Sequence, residues 1–336
     1  MVEIRARSQP VDQILSSFVS GYGEGIECSV LIWRSDAPAR WRTDLRPLMA
    51  FRNGVALATV LRGRAESVNG FSGMSPTFSD VFDVHPANVG GTGHLILQSP
   101  AYLDITSPRQ RRVFTPSPYV ARQTAPFWHD LYLFDAISKV WGRRFGSRPR
   151  EARYADRLFR SLEAAYQACA VGARHDASLN DYGTQIALWI SAIEILAWPA
   201  NRNVNRDIVL EYLASPVLGP RALRRRFRVT MKVKQRREVR SLTALQRAYY
   251  AMYKARNDFL HGNPVGIATL LVRRRHVTSF LPRIAALVYR AALVVYLDRA
   301  HRKQCTTIAE IGSRILEAHQ DSAYEEAIDQ VFGLAH

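Results

Sequence analysis

An arginine, an amide, a carboxylate and a histidine fall within six residues, at Arg256, Asn257, Asp258 and His261. They belong to the stretch Tyr253-Lys254-Ala255-Arg256-Asn257-Asp258-Phe259-Leu260-His261-Gly262-Asn263-Pro264. A guanidinium clamps phosphate oxygens with a planar fork of donors, and an imidazole moves protons near neutral pH. That is a kit for phosphodiester chemistry. RNA carries its own nucleophile, the 2′-hydroxyl, so cutting it requires only proton transfer and charge stabilisation. General acid–base help is worth typically about 10²–10⁴-fold, and stabilising the charge of the phosphorane adds more.

The elements that must hold these groups follow from the spacing around them. Leu242–His261 places Leu245, Ala248, Tyr249, Met252 and Phe259 near one stripe, as an amphipathic helix does. Gly262 is the residue type preferred just past a helix end, and Pro264 cannot prolong one, so His261 is expected in the last turn. There the negative end of the helix favours a protonated imidazole. Five residues turn an ideal helix through about 500°, which leaves the Arg256 and His261 side chains roughly 140° apart. Asn257 and His261, four apart, share a face. Arg256 could meet His261 through unwinding of the last turn or across a subunit interface. Plainer roles exist for each alone: a C-terminal cap for the histidine, a surface ion pair for the arginine.

Glu194 is the only acid in the apolar run Ile186–Trp198. A carboxylate in such a helix is costly to bury unpaired, so it should find a cation, with Arg256 and Arg206 as candidates. The alternative is a half-exposed glutamate on the polar edge. Ahead of the motif, Arg221–Arg240 holds ten cations against one acid, Glu238. Within it Arg224, Arg225, Arg226, Arg228, Lys232, Lys234, Arg236 and Arg237 are the candidate RNA-binding residues, an electrostatic track for a phosphate backbone. The alternative is a solvated basic loop. Arg273, Arg274 and Arg275 follow the motif. Tyr249, Tyr250 and Tyr253 could stack bases, although tyrosines at this spacing are more often core.

Composition agrees with a polyanion partner. The 336 residues contain 46 Lys+Arg against 29 Asp+Glu, a net charge of +17. Such a field attracts nucleic acid. Hydrophobic residues make up 47% and charged residues 22%, which excludes a disordered or fibrous chain. Cys28, Cys169 and Cys305 are far apart without CxxC or Cys/His ligand spacing, which argues against a disulfide framework and a zinc site. No HExxH, paired-carboxylate or Walker motif is present, and Gly90-Gly91-Thr92-Gly93 lacks the Lys-Ser/Thr of a phosphate loop. No metal and no small-molecule cofactor are expected. The first residues lack the apolar core of a signal peptide, and Leu281–Leu297 carries Arg283 and Arg290 and is too short and too charged for a membrane span. A cytoplasmic protein is the expectation.

Two regions are expected to differ in class. Residues 1–148 contain short apolar segments, Cys28–Trp33, Gly54–Leu61, Phe78–Val84 and His94–Leu97, set between turn-like breaks. They predict a β-rich or mixed domain, with a helix near Phe127–Arg144 before a boundary at Gly146–Pro149. Residues 149–336 show helical periods at Tyr154–Arg174, Tyr182–Trp198, Asn205–Ala214, Leu242–His261, Ser279–Arg302, Thr307–His319 and Ser322–Phe332. These predict an α-helical bundle, and the fold class expected for the whole is α+β.

Ser191-Ala192-Ile193-Glu194-Ile195-Leu196, then a basic interval, then Tyr253-x-x-Arg256-Asn257-x-x-x-His261-Gly262, resembles the HEPN superfamily, in particular its Apea-like group. The resemblance spans about Tyr154 to Leu297. It implies a helical bundle that forms a homodimer and joins two Arg/His pairs in one cleft. Catalytic members are metal-independent endoribonucleases, several with toxin or phage-defence roles. By this resemblance Arg256 would hold the scissile phosphate, His261 would handle the proton, Asn257 would orient one of them, and Glu194 would support the site. The chain has Asn263 two positions after His261 where an adenylylated toxin subgroup has Tyr, so that regulation is not implied. The leading expectation is therefore a metal-independent endoribonuclease; the alternative is a non-catalytic HEPN module that binds RNA or a protein partner.

Overall fold

Residues Arg46–Val68 form one 23-residue helix, α1, where the sequence suggests a strand at Gly54–Leu61. Ala56 to Leu61 are all buried, so no polar face marks the helical period. A helix covered on all sides shows no stripe, and a short Val- and Thr-containing apolar run is then indistinguishable from a strand. Gly54 lets α1 approach its neighbour: a Cβ there would lie 3.0 Å from Ile137 Cγ2.

The computed structural model describes residues 38–42, 44, 46–68, 87–89, 95–99, 102–105, 130–146, 152–171, 178–199, 203–218, 225–233, 236–274, 277–304 and 322–331. After α1 come three short strands, β1 (Ala87–Val89), β2 (Leu95–Ser99) and β3 (Tyr102–Ile105), in an antiparallel meander. The helices α2 (Leu131–Phe145), α3 (Ala152–Val171), α4 (Leu179–Ala197) and α5 (Arg206–Tyr212) follow. A hairpin of β4 (Arg226–Val233) and β5 (Arg236–Thr243) runs directly into α6 (Ala244–Leu260). A second hairpin, β6 (Leu271–Arg274) and β7 (Val277–Phe280), leads into α7 (Leu281–Gln304), and α8 (Ser322–Val331) is the last element described.

This corrects the expected fold class. The described residues are mostly helical and contain no β-rich N-terminal domain. Of the expected strands only the one at His94–Leu97 is found, as β2; Cys28–Trp33 and Phe78–Val84 lie outside the described residues. The C-terminal region in turn is not all-α, because two hairpins interrupt it. One hydrophobic core runs from Ala56 and Leu57 of α1 through Leu158, Ile190, Tyr249 and Tyr289 to Ile328 of α8. That core crosses residue 148, the expected boundary.

A buried polar knot joins four helices. Arg290 of α7, 2% exposed, donates from Nε and Nη2 to Asp130 Oδ2 at 3.2 and 3.1 Å. Tyr324 of α8 donates to the same oxygen at 3.0 Å, and its ring lies 3.2 Å from the Arg290 guanidinium carbon. Asp130 Oδ1 caps α2 by accepting from Leu133 N, while the Asp130 amide donates to Ala58 O of α1. Among the described residues no helix is long and apolar enough to cross a membrane.

Candidate nucleic-acid and active site

The helix α6 is positioned at both ends by local chemistry. At its start Thr243 and Gln246 form a capping box: Gln246 N donates to Thr243 Oγ1 at 3.3 Å, and Thr243 N donates to Gln246 Oε1 at 2.8 Å. The same glutamine donates from Nε2 to Leu210 O, fastening α5 to α6. Two orphan donors of the helix end are thereby satisfied. At the other end His261 is the capping residue and Gly262 takes φ +68°. Asn263 N donates to Asp258 O at 3.1 Å, the six-to-one bond that closes a helix through a left-handed glycine. The predicted helix end is therefore where the sequence places it, with His261 exposed at its tip.

Packing against α4 fixes the rotation of α6. A Cβ on Gly183 would come within 2.5 Å of the Phe259 ring, so the glycine is the socket for that aromatic. Ser178 and Asp181 cap α4 reciprocally, which sets where its first turn and Gly183 fall. The two helices run antiparallel, Gly183 opposite Phe259 and Glu194 opposite Tyr249.

Glu194 finds Arg256 as its cation. Glu194 Oε1 stands 3.5 Å from Arg256 Nη1 and 3.5 Å from the Tyr249 hydroxyl. Both side chains of the ion pair are sheltered, with 27% of the arginine and 19% of the glutamate exposed. At 3.5 Å the pair is long. Burial accordingly pushes the Glu194 carboxyl above the usual carboxylate range, and the Arg256 charge and the Tyr249 hydroxyl oppose this only in part. Burial, and then the neighbouring Glu194 charge, push the Tyr249 hydroxyl well up. The Arg256 guanidinium also lies 5.7 Å over the Tyr253 ring. It thus leans toward the start of α6, as helical side chains do, and away from His261 at the end.

No hydrogen bond joins Arg256 to His261 among the described residues; the guanidinium is turned to Glu194 and Tyr253. Asn257 meets His261 through the backbone: its main-chain carbonyl accepts from His261 N at 3.0 Å, the last bond of the helix. Arg206, the other candidate partner for Glu194, instead faces Asp207 at 3.3 Å and donates to Lys232 O at 3.0 Å.

The cationic stretch forms the β4–β5 hairpin. Directly opposed residues share a face, so Arg226, Arg228 and Lys232 of β4 stand with Arg237, Val239 and Ser241 of β5. All six are exposed. The other face presents Phe227, Val229 and Met231, which pack on the core, with Leu242, Arg236, Glu238 and Arg240. Arg240 is occupied by Asp207 at 3.0 Å and Glu238 at 3.2 Å. Arg225 precedes β4 and is exposed, while Arg224 and Lys234 lie outside the described residues. The stretch reads as a single charged run in the sequence; the alternation of Phe227, Val229 and Met231 with charged residues is the period-two signal of the strand. Of the three tyrosines, Tyr249 is fully buried, whereas Tyr250 and Tyr253 are half-buried.

No protein-family model matches the chain, and neither a curated protein nor a solved structure does.

Proposed function

We propose that this chain is a metal-independent endoribonuclease of HEPN type, with Arg256 and His261 as its catalytic residues. The observation that carries the reading is the exposed His261 on a fixed helix tip, one and a half turns from a sheltered arginine whose carboxylate partner is held only loosely. A loosely paired guanidinium can exchange its carboxylate for a phosphate, because the phosphate offers closer bidentate geometry. In the reaction the 2′-hydroxyl attacks phosphorus and loses its proton to a base. The P–O5′ bond breaks, and the leaving oxygen takes a proton, giving a 2′,3′-cyclic phosphate and a 5′-hydroxyl. His261 serves one of the two proton transfers, Arg256 balances the charge on the non-bridging oxygens, and Asn257 orients the imidazole. Glu194 is a positioning residue that holds Arg256. Because Arg256 leans away from its own His261, the working pair in this reading forms between two copies of the chain.

Purified protein incubated with mixed RNA in EDTA is expected to cut it, and the Arg256→Ala and His261→Ala variants are expected not to. Intact RNA with the wild type, or equal cutting by the variants, rejects the reading. A toxin-like or phage-defence role in the cytoplasm predicts growth arrest on expression that Arg256→Ala relieves. The ion pair that occupies Arg256 favours a second reading, a HEPN module that binds RNA without cutting. That module retains its affinity and its phenotype when the motif alone is changed.

A further inference from the structure

We propose that the outward face of the β4–β5 hairpin, carried on the helix that holds Arg256, is a track for single-stranded RNA. The proposal rests on the nuclease reading for its choice of RNA and on the hairpin for its path.

The face is cationic and linear. Arg226, Arg228 and Lys232 stand at alternate or twice-alternate positions of one strand, with Arg237 directly opposite Lys232. Alternate residues recur about every 6.6–6.8 Å along a strand, so the charges form a file and not a plane. The only acid of the run, Glu238, lies on the other face and is engaged by Arg240. The outward face therefore presents positive charge with no carboxylate among its members. Val239, 57% exposed in the middle of it, offers an apolar contact for a base or ribose.

The hairpin is tied to the motif helix. Arg206 donates to the Lys232 carbonyl at 3.0 Å, and its guanidinium carbon stands 5.9 Å over the Tyr250 ring of α6. From Tyr250 the helix carries Tyr253 and then Arg256 at intervals of three residues, each step turning about 60° around the axis. All three are partly exposed, and the Arg256 guanidinium lies over the Tyr253 ring. A file of cations beside an exposed apolar side chain is what a single strand uses, with phosphates on the charges and a base or ribose on Val239. The major groove of duplex RNA is too narrow to admit the ribbon, whereas a DNA major groove could take it. The 2′-hydroxyl required at Arg256 selects RNA.

The test is fluorescence anisotropy of a 5′-labelled oligouridylate in EDTA, on full-length protein in a His261→Ala background that leaves the probe intact. Reversing the face with R226E, R228E, K232E and R237E should lower affinity at least tenfold and flatten the salt dependence by a slope of about three. The milder set R226Q, R228Q, K232Q and R237Q should lower it less and in the same direction, with unchanged circular dichroism. Reversing Arg153 and Arg160, exposed on α3, should change it little. Equal binding by the face variants overturns the track while leaving the nuclease reading intact. Lost binding by those variants in a protein that never cuts RNA keeps the track and removes the nuclease. Duplex DNA or phosphatidylserine vesicles bound as tightly as the oligouridylate, through the same residues, overturn the single-strand assignment.

Discussion

The Arg256 guanidinium and the Glu194 carboxylate stand 3.5 Å apart, sheltered between α6 and α4, on a level with Tyr249 and not with His261. The distance and the burial together decide what this pair does. A close pair would hold the glutamate ionised, but here desolvation outweighs the cation. The arginine is therefore steered by its neighbour without being locked by it.

The raised carboxyl fixes the sign of a pH effect. Glu194 is pushed above its ordinary value of 4.5, so the folded state favours the neutral acid. Its contribution to stability is fully present below that value and is lost as pH rises through the folded-state value. Glu194→Gln removes the titration. Urea midpoints should therefore shift in favour of Glu194→Gln as pH rises from about 4.5 toward neutrality. A gap that stays constant with pH would show that the carboxyl does not titrate in this way.

Separation of Arg256 from His261 within one chain makes a prediction about two. Co-expressed Arg256→Ala and His261→Ala subunits, each inactive alone, should regain RNA cleavage, because a mixed two-fold dimer restores one complete pair. If the mixture stays as dead as its parents while still dimerising, the pair forms within a single subunit.

Two glycines give opposite expectations in one assay. Gly183→Ala drives a methyl into the Phe259 ring, and overpacking of this kind costs about 1–3 kcal/mol. Gly142→Ala, in α2 with nothing within 4 Å of the added carbon, should stabilise by about 0.5–1 kcal/mol. Thermal midpoints of the two variants should move in opposite directions; a harmless Gly183→Ala would mean that α6 is free to slide on α4.

The knot at Asp130 is expected to be the most sensitive polar position. Asp130→Ala strips the carboxylate from a guanidinium buried to 2% exposure, and breaking such a pair costs on the order of 3–5 kcal/mol. Tyr324→Phe removes one hydrogen bond and leaves the ring over Arg290, which should cost about 0.5–1.5 kcal/mol. Denaturant titration that ranks Tyr324→Phe above Asp130→Ala would contradict this order.

The sequence was most legible where polar and apolar faces alternate with the period of the element. The helix over Leu242–His261 and its end at Gly262 were readable, because glycine and proline have few ways to be satisfied; that Glu194 would need a cation was readable too, but not the choice between Arg256 and Arg206. The first region was not. Helix α1 is buried around its whole circumference over Ala56–Leu61 and so carries no stripe there, and its Gly54 and Thr59 mimic strand punctuation. The basic hairpin is hidden by charge: ten cations dominate the run and mask the alternation of Phe227, Val229 and Met231 beneath them. Nor could spacing along one helix say which way the Arg256 side chain would lean, since that depends on a carboxylate from another element.

No spacer separates β5 from α6: Thr243 ends the strand and caps the helix in the same residue. The arm and the rod behind it are therefore one mechanical piece, and a load on the hairpin is delivered to the motif without slack. Genetic change is constrained accordingly. One residue inserted between Thr243 and Arg256 would wheel the guanidinium about 100° around the helix axis, so the interval should tolerate substitution and reject any change in length.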